Sequence, residues 1–95
     1  MEVRQTETFR SWLRHIRDDQ AKARIVARIR RLEQGNPGDV APVGAGVSEM
    51  RIHYGPGYRV YFVQRGADII VLLCGGDKKT QAADIETAKE MAKAL

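Results

Sequence analysis

Cationic side chains cluster in the middle of this 95-residue chain, where they could hold a phosphate group. The segment Arg51–Gln81 reads as two charged strands around a GPG turn, an apolar strand and the loop GGDKKTQ. Guanidinium and ammonium groups donate charge-assisted hydrogen bonds to phosphate oxygens. The candidate catalytic residues are Arg51, His53, Arg59, Lys78 and Lys79.

The alternation of residue types assigns these side chains to sheet faces, because successive side chains of a strand point to opposite faces. If Tyr54 and Tyr58 pair across the GPG turn, His53 lies opposite Arg59. This register predicts four polar or aromatic side chains on one face: Arg51, His53, Arg59 and Tyr61. The tyrosines of the two strands are the candidate substrate-binding residues: Tyr54, Tyr58 and Tyr61.

Two interpretations of this charged face are open. Cations directly across an antiparallel strand pair repel one another, so an anionic ligand would compensate them. Alternatively, Glu49 offsets Arg51 and the face is an ordinary solvated sheet surface.

The loop GGDKKTQ leads into a C-terminal helix, TQAADIETAKEMAKAL, that Asp77 or Thr80 can cap. Lys78 and Lys79 lie just before this helix or in its first turn, where they oppose the helix dipole. The mismatch predicts an anion at the helix start, as phosphate binds at many such sites. The spacing does not fit a nucleotide-binding P-loop.

Two helices are predicted upstream of the strands, as an antiparallel hairpin. The first begins near Thr6 or Thr8, and its apolar stripe is Phe9, Trp12, Leu13 and Ile16. The second runs over residues 20–34 and ends at Gly35, and its stripe is Ile25, Ile29 and Leu32.

Each helix also carries arginines spaced i, i+4 and i+7, which line one side of a helix. The first set is Arg10, Arg14 and Arg17, and the second is Arg24, Arg28 and Arg31. Either these sets are solvated faces, or they dock on the phosphates of structured RNA. The second set is the candidate RNA-docking surface.

The remaining segments complete one small domain, residues 1–95. MEVRQT reads as a short edge strand, and residues 35–46, GNPGDVAPVGAG, read as a loop because they lack a period. Residues 68–74 form an apolar run typical of a central strand covered on both faces. Cys74 ends that run and reads as a small buried hydrophobe.

The amino-acid composition and the net charge limit which class of protein this chain can belong to. With 43% hydrophobic and 29% charged residues, the chain is expected to fold. Its net charge of +4 favours a polyanionic partner, and the surplus lies within residues 1–35. No apolar run predicts a signal peptide or a membrane span, so we expect a cytoplasmic protein that contacts no membrane.

The predicted order of strand, two helices, three antiparallel strands, loop and helix resembles the RelE/ParE superfamily of bacterial type II toxins. The similarity is greatest to the HigB-like branch of addiction-module killer proteins. It covers essentially the whole chain. The segments that carry it are EMRI at 49–52, GPGYRVYF at 55–62, LLCGGDKKTQ at 72–81, and Asp84-Ile85.

The resemblance implies an α+β fold of order β-α-α-β-β-β-α, with an antiparallel sheet packed against a helical hairpin. It also implies ribosome-dependent mRNA cleavage by the substrate's own 2′-hydroxyl, without metal or other cofactor. The implied partners are the ribosome, mRNA and an antitoxin, expected to be a helix-turn-helix protein encoded by the adjacent gene. The candidate ribosome-docking residues are then Arg24, Arg28 and Arg31.

By position in the family's motifs, the resemblance gives three residues a role. Arg59 stabilises the charge on the reacting phosphorus, Arg51 orients the phosphate or assists proton removal, and Lys79 or else Lys78 protonates the leaving oxygen. The chain departs from the family at Ile85, where a base-stacking aromatic is expected. Because arginine effectively never deprotonates, His53 or a lysine is the better general base.

Two other functions share the implied fold. A ParE-like protein binds DNA gyrase and cleaves no RNA. The basic hairpin and the lysine loop favour the nuclease over this inhibitor. An inactive RNA-binding module would keep the cations without acid-base groups, and the missing aromatic keeps that alternative open.

Overall fold

The computed structural model of the protein describes residues 1–95. Its elements, in chain order, are β1 (Glu2–Gln5), α1 (Glu7–His15), α2 (Asp19–Glu33), β2 (Val40–Gly44), β3 (Val47–Ile52), β4 (Tyr58–Arg65), β5 (Ile69–Asp77), a 3₁₀ turn (Lys78–Thr80) and α3 (Gln81–Lys93). The predicted α+β class and element order are confirmed, with one additional strand. None of the three helices has the length and apolar character to cross a membrane.

The five strands form one sheet in the order β1-β5-β4-β3-β2. β1 runs parallel to β5 at one edge, and the other pairs are antiparallel. The prediction that residues 35–46 form only a loop is wrong, because Val40–Gly44 pairs with β3. The position of β2 at the sheet edge explains why its sequence does not alternate. An edge strand tolerates Pro42, which has no N–H to donate, and the register shifts between Pro42 and Gly44.

Local capping explains where the first two helices begin. The Thr6 side chain accepts a hydrogen bond from Phe9 N at 3.0 Å, which confirms the first helix start. Asp18 accepts hydrogen bonds from the backbone N–H groups of Gln20 and Ala21, so α2 begins one residue earlier than predicted. Gly35, at φ +83°, ends α2 as predicted.

Helices cover both faces of the sheet. On the first face α1 packs against β5 and α2 packs against β3, over a core that includes Phe9, Ile25, Met50, Phe62 and Leu72. On the second face α3 packs against β5 and β4, over a core that includes Val47, Tyr61, Leu73 and Ala88. The second face, which we term the α3 face, contains the candidate site.

The predicted pairing of Tyr54 with Tyr58 is wrong. β3 ends at Ile52, which lies opposite Tyr58, and Arg51 lies opposite Arg59. Residues 53–57 form the turn, since its two glycines adopt positive φ angles of 57° and 79°. The register differs from the predicted one by two residues, so each strand residue keeps its predicted face.

The strand predicted at 68–74 continues to Asp77. Gly75 and Gly76 belong to it, where they pair with Val60 and Arg59. The glycines are needed for close packing rather than for a loop, because a Cβ on Gly75 would lie 2.3 Å from the Trp12 ring. The chain leaves the sheet only after Asp77.

Candidate functional site

A fully buried carboxylate, that of Glu49, lies at the centre of the α3 face. Its Oε1 accepts a hydrogen bond from Arg51 Nε at 3.0 Å. Its Oε2 accepts hydrogen bonds from Gln81 Nε2 at 2.7 Å and from Tyr61 Oη at 3.2 Å. Arg59 Nε lies 3.8 Å from the same Oε2. We refer to these five residues as the Glu49 cluster.

Strand alternation and the approach of α3 assemble this cluster. Glu49 and Arg51 share one face of β3, and their partners across the strand pair are Tyr61 and Arg59. Gln81 is the first residue of α3 and reaches the cluster from above the sheet. The cluster therefore depends on both the β3–β4 pairing and the docking of α3.

On the β5 side, Arg59 lies opposite a glycine, Gly76. A Cβ at Gly76 would lie 1.8 Å from the Asp84 carboxylate, so no larger residue fits without displacing α3. Thr80 Oγ1 donates a hydrogen bond to that carboxylate. The absence of a side chain at Gly76 lets α3 approach the sheet closely beside Arg59.

The hydrogen bonds keep Glu49 ionised. Burial would raise the pKa of the Glu49 carboxyl, but hydrogen bonds from Gln81, Arg51 and Tyr61, with the charge of Arg59, outweigh it and lower the pKa below its usual value. Burial and the adjacent carboxylate raise the pKa of Tyr61. Tyr61 therefore keeps its proton and donates it to Glu49 in a hydrogen bond.

Arg59 is the least compensated member of the cluster. Its side chain is only 10% exposed, yet its Nε has no hydrogen-bond acceptor. Such an unsatisfied buried donor costs about 1–3 kcal/mol, and more when the group is charged. Arg51 contacts two carboxylates, those of Glu49 and, at 3.8 Å, Asp39, whereas Arg59 has only the distant Glu49 Oε2, so Arg59 is the cation of the cluster that can attract an anion.

The two candidate lysines lie outside this cluster, exposed in the 3₁₀ turn after β5. Asp77 acts as a cap, as predicted: its carboxylate accepts hydrogen bonds from Lys79 N at 2.9 Å and from Thr80 N at 3.3 Å. Lys78 lies beside the β3–β4 turn, since a Cβ at Gly57 would be 3.4 Å from its Cβ. The helix start is therefore capped, while the lysine side chains extend into solvent.

A protein-family model matches most of this chain. The family described as "Phage derived protein Gp49-like (DUF891)" matches residues 11–94, which include the whole Glu49 cluster. This chain belongs to the Gp49-like family. A Haemophilus influenzae protein described as uncharacterized is 47% identical over 95 residues, which is 100% of this chain and 96% of the relative. Membership is consistent with the resemblance to type II toxins.

In this Gp49-like protein His53 lies away from the Glu49 cluster, so the prediction that it faces Arg59 is wrong. The reason is that β3 ends before it. Its side chain is 72% exposed, and Nε2 lies 2.5 Å from Asp39 Oδ2. That hydrogen bond is the main cause of the lowered pKa of Asp39, and the charge of Arg51 also lowers it. His53 therefore holds Asp39, and the structure gives it no contact with Arg59.

The three candidate substrate-binding tyrosines occupy packed positions. Tyr61 is fully buried in the Glu49 cluster. Tyr58 and Tyr54 pack on the first face, where Tyr58 meets the edge of Trp12 at 6.2 Å and the Tyr54 ring lies 4.6 Å from the Arg24 guanidinium carbon. Two of the three rings are thus on the opposite side of the sheet from Arg59.

Among the candidate docking arginines of the Gp49-like chain, Arg28 has a structural role. It donates hydrogen bonds to the backbone carbonyls of Arg51 at 2.6 Å, Pro37 at 3.2 Å and Asp39 at 3.4 Å. These bonds attach the segment before β2 to the end of β3. The other two arginines of the set are exposed: Arg24 and Arg31.

Sequence reasoning missed the central role of Glu49 and the contribution of Gln81. Glu49 does contact Arg51, as one of the two interpretations predicted. The face is not a solvated surface, however, because α3 covers it. Alternation already placed Glu49 beside the cations, so its burial was the missing information. No local signal marks Gln81, because its role depends on where α3 docks.

Cys74 is buried in the second core, as predicted. Burial raises the pKa of its thiol to about 12, so the thiol is protonated at neutral pH. The structure contains no group of three or more His, Cys, Asp and Glu side chains placed to hold a metal ion.

Proposed function

We propose that this Gp49-like protein is the toxin of a type II toxin-antitoxin system and acts as a ribosome-dependent mRNA endonuclease. The observation that carries the proposal is the Arg59 guanidinium, nearly buried, without an acceptor for Nε, and 3.8 Å from the carboxylate of Glu49. Donors fixed in this way stabilise charge that develops on a reacting phosphate without having to reorganise. Family membership and the excess of basic residues support the same conclusion.

In the proposed reaction the substrate's 2′-hydroxyl attacks the adjacent phosphorus, and the bond from phosphorus to the 5′-oxygen breaks. The products are a 2′,3′-cyclic phosphate and a 5′-hydroxyl. Arg59 and Arg51 bind the non-bridging oxygens, whose negative charge grows in the transition state. The 2′-hydroxyl releases its proton to water, and Lys79 or Lys78 protonates the leaving 5′-oxygen.

Glu49 acts in this mechanism as a positioning residue. Its two oxygens already accept three hydrogen bonds, from Arg51, Gln81 and Tyr61. Each arginine directs its Nε toward this carboxylate, and Arg51 also has one terminal nitrogen 3.8 Å from Asp39, so the terminal nitrogens of Arg59 are the main donors for the phosphate. Orientation of the RNA relative to Arg59 is then the task of the ribosome, so the rate depends on ribosome binding. The proposal places the protein in the cytoplasm, with an antitoxin encoded by the adjacent gene.

A specific observation favours RNA binding without cleavage as the second candidate function. The Glu49 cluster offers no free general base, because Glu49 is occupied, Tyr61 has a raised pKa and His53 contacts Asp39 instead. A cluster of this kind could hold a phosphate without moving a proton. Primer extension separates the two candidates, since only the nuclease produces new 5′ ends.

The test is to produce the chain in cells without its adjacent gene and to map translated mRNA by primer extension. We expect growth arrest with new 5′ ends inside translated reading frames, and none in the same transcript without a start codon. A gyrase supercoiling assay with the purified protein runs in parallel. Lost supercoiling with intact mRNA would overturn the nuclease in favour of a ParE-like inhibitor.

A further inference from the structure

A groove runs along the exposed side of α2, away from the Glu49 cluster. Two adjoining cavities form it, and they share the residues Arg24 and Ala27. The cavity nearer the β3–β4 turn measures about 360 Å³ and also contacts Ile52 and His53. Together the cavities extend from Gln20 to Arg31, about 16 Å along the helix axis at 1.5 Å per residue.

Small residues form the floor of this groove. Ala23 and Ala27 are both exposed and lie four residues apart, on one side of α2. A helix side that only faces water usually carries long polar side chains. Helices approach each other to 8–10 Å according to the size of the side chains between them, and alanines allow the shorter distance. The floor therefore suits a second helix.

Two arginines without acidic partners flank the floor. Arg24 and Arg31 are seven residues apart, two helical turns, and neither has a carboxylate within ion-pair distance. On α1, by contrast, Glu7 lies 3.8 Å from Arg10 and 3.6 Å from Arg14. The α2 arginines are thus available to an external anion, while the α1 pair is partly neutralised.

The neighbouring contacts hold the groove in shape. Arg28 fixes the wall beside His53 through its three backbone hydrogen bonds. The Tyr54 ring supports Arg24 from below at 4.6 Å. A preformed surface loses less conformational freedom when a partner binds than a mobile one does.

We propose that this groove binds an acidic amphipathic helix of a protein partner, an inference that rests on the proposed function in taking the antitoxin as that partner. Two carboxylates seven residues apart on the partner helix pair with Arg24 and Arg31. Small or apolar residues between them pack on Ala23 and Ala27.

The surrounding charges distinguish this partner from RNA. Asp18 and Asp19 lie at one end of the groove and Asp39 lies beside His53 at the other. A continuous polyphosphate would be repelled at both ends, whereas a helix places its carboxylates only opposite the arginines. With Arg28 committed to the backbone, two arginines remain, too few for the many phosphate contacts on which non-specific RNA affinity depends.

The test measures the affinity of the purified chain for the protein encoded by the adjacent gene, by isothermal titration calorimetry. We expect the double variant R24E/R31E to bind roughly 100-fold more weakly, because each reversal places like charges together. The matched control is R10E/R14E on α1, which should lose less than about threefold. A second double variant, R24Q/R31Q, removes the two charges without reversing them. If its thermal unfolding is unchanged, weaker binding by this variant is not the result of a folding defect.

Cell growth separates this inference from the proposed function. The wild type should arrest growth without the partner and should be neutralised with it, while R24E/R31E is scored by calorimetry alone. If the wild type itself fails to arrest growth, the proposed function fails while calorimetry still reports on the groove. Equal affinities of wild type and R24E/R31E, or no binding of the wild type, would overturn the inference. Loss of binding to a labelled RNA hairpin with unchanged partner affinity would instead make the groove a nucleic-acid surface.

Discussion

The Glu49 cluster and the lysine turn are neighbouring cationic regions built in opposite ways. In the cluster, Arg51 and Arg59 lie against one buried carboxylate that fixes their direction. In the turn, Lys78 and Lys79 are exposed, and the local carboxylate of Asp77 caps the backbone instead of pairing with them. The first region supplies oriented charge, and the second supplies mobile charge.

The difference follows from the chemistry of the two side chains. A guanidinium is planar and weakly hydrated, so it tolerates burial beside a carboxylate, whereas an ammonium is strongly hydrated and remains in water. Stability should therefore depend on the cluster far more than on the turn. Activity, in the proposed function, should depend on both.

The largest effect on stability is expected for Glu49→Ala. Removing the buried carboxylate leaves Arg59 without an anionic partner and Arg51 with Asp39 alone, and breaking a buried ion pair in this way costs about 3–5 kcal/mol in the free energy of unfolding. Urea denaturation measures this loss. The matched control is Glu86→Ala, since Glu86 is exposed and lies 4.0 Å from Lys89, and it should change stability by less than about 0.5 kcal/mol. Equal losses in the two variants would show that the cluster does not stabilise the fold.

Gln81→Ala should have the next largest effect. It removes the shortest hydrogen bond to Glu49 and the contact through which α3 joins the cluster. Hydrogen bonds to charged groups contribute about 1.5–3 kcal/mol, so we expect a loss near the lower value because alanine favours the helix slightly. Gln64→Ala, which removes an exposed bond to the Gly66 carbonyl, serves as the control in the same denaturation experiment. A smaller loss for Gln81 than for Gln64 would contradict the role given to α3.

Acid should weaken the fold through the same carboxylate. Because the pKa of Glu49 is lower in the folded chain, its contribution to stability is complete above the unfolded value, about 4.3, and is lost as pH falls through the folded value. One proton changes the free energy of unfolding by at most about 1.4 kcal/mol per pH unit. Glu49→Gln should remove this part of the pH dependence of stability. The unfolding temperatures of the wild type and of Glu49→Gln should therefore approach each other as the pH is lowered from 6 to 3. Parallel curves would contradict the pKa assignment.

The smallest effects on stability are expected for Lys78→Ala and Lys79→Ala. Exposed residues outside caps and pairs change stability by about 0.5 kcal/mol or less. In the proposed function the lysine that protonates the leaving oxygen should nevertheless lower the cleavage rate about 100-fold. The cleavage rates of the two single variants on ribosome-bound mRNA show which of the two lysines protonates the leaving oxygen. Normal rates in both, and in the double variant, would exclude the lysines from the reaction.

Much of the fold could be predicted because its signals are local. The apolar stripes define the first two helices, the cap at Thr6 marks the start of the first, and alternation assigns faces in β3 and β4. β2 could not be predicted, since Ala41, Pro42 and Gly44 break the alternation and leave only two strand-forming residues, Val40 and Val43. Its existence depends on pairing with β3, which is a tertiary effect.

The candidate site could be predicted only in part, for the same reason. The shared face of Arg51, Arg59 and Tyr61 follows from period two and survives the two-residue change in register. The burial of Glu49 does not follow, because it requires knowledge that α3 covers this face. His53 was misplaced since strand alternation was extended two residues beyond the end of β3.

The central claim, that Arg59 stabilises charge on a reacting phosphate, is tested most directly by the cleavage rate of ribosome-bound mRNA with Arg59→Ala. The account predicts a loss of about 100- to 1,000-fold, with unchanged circular dichroism. Arg59→Lys should recover part of the rate, and Arg17→Ala, an exposed arginine of the first set, should retain all of it. Full cleavage by folded Arg59→Ala would contradict the account.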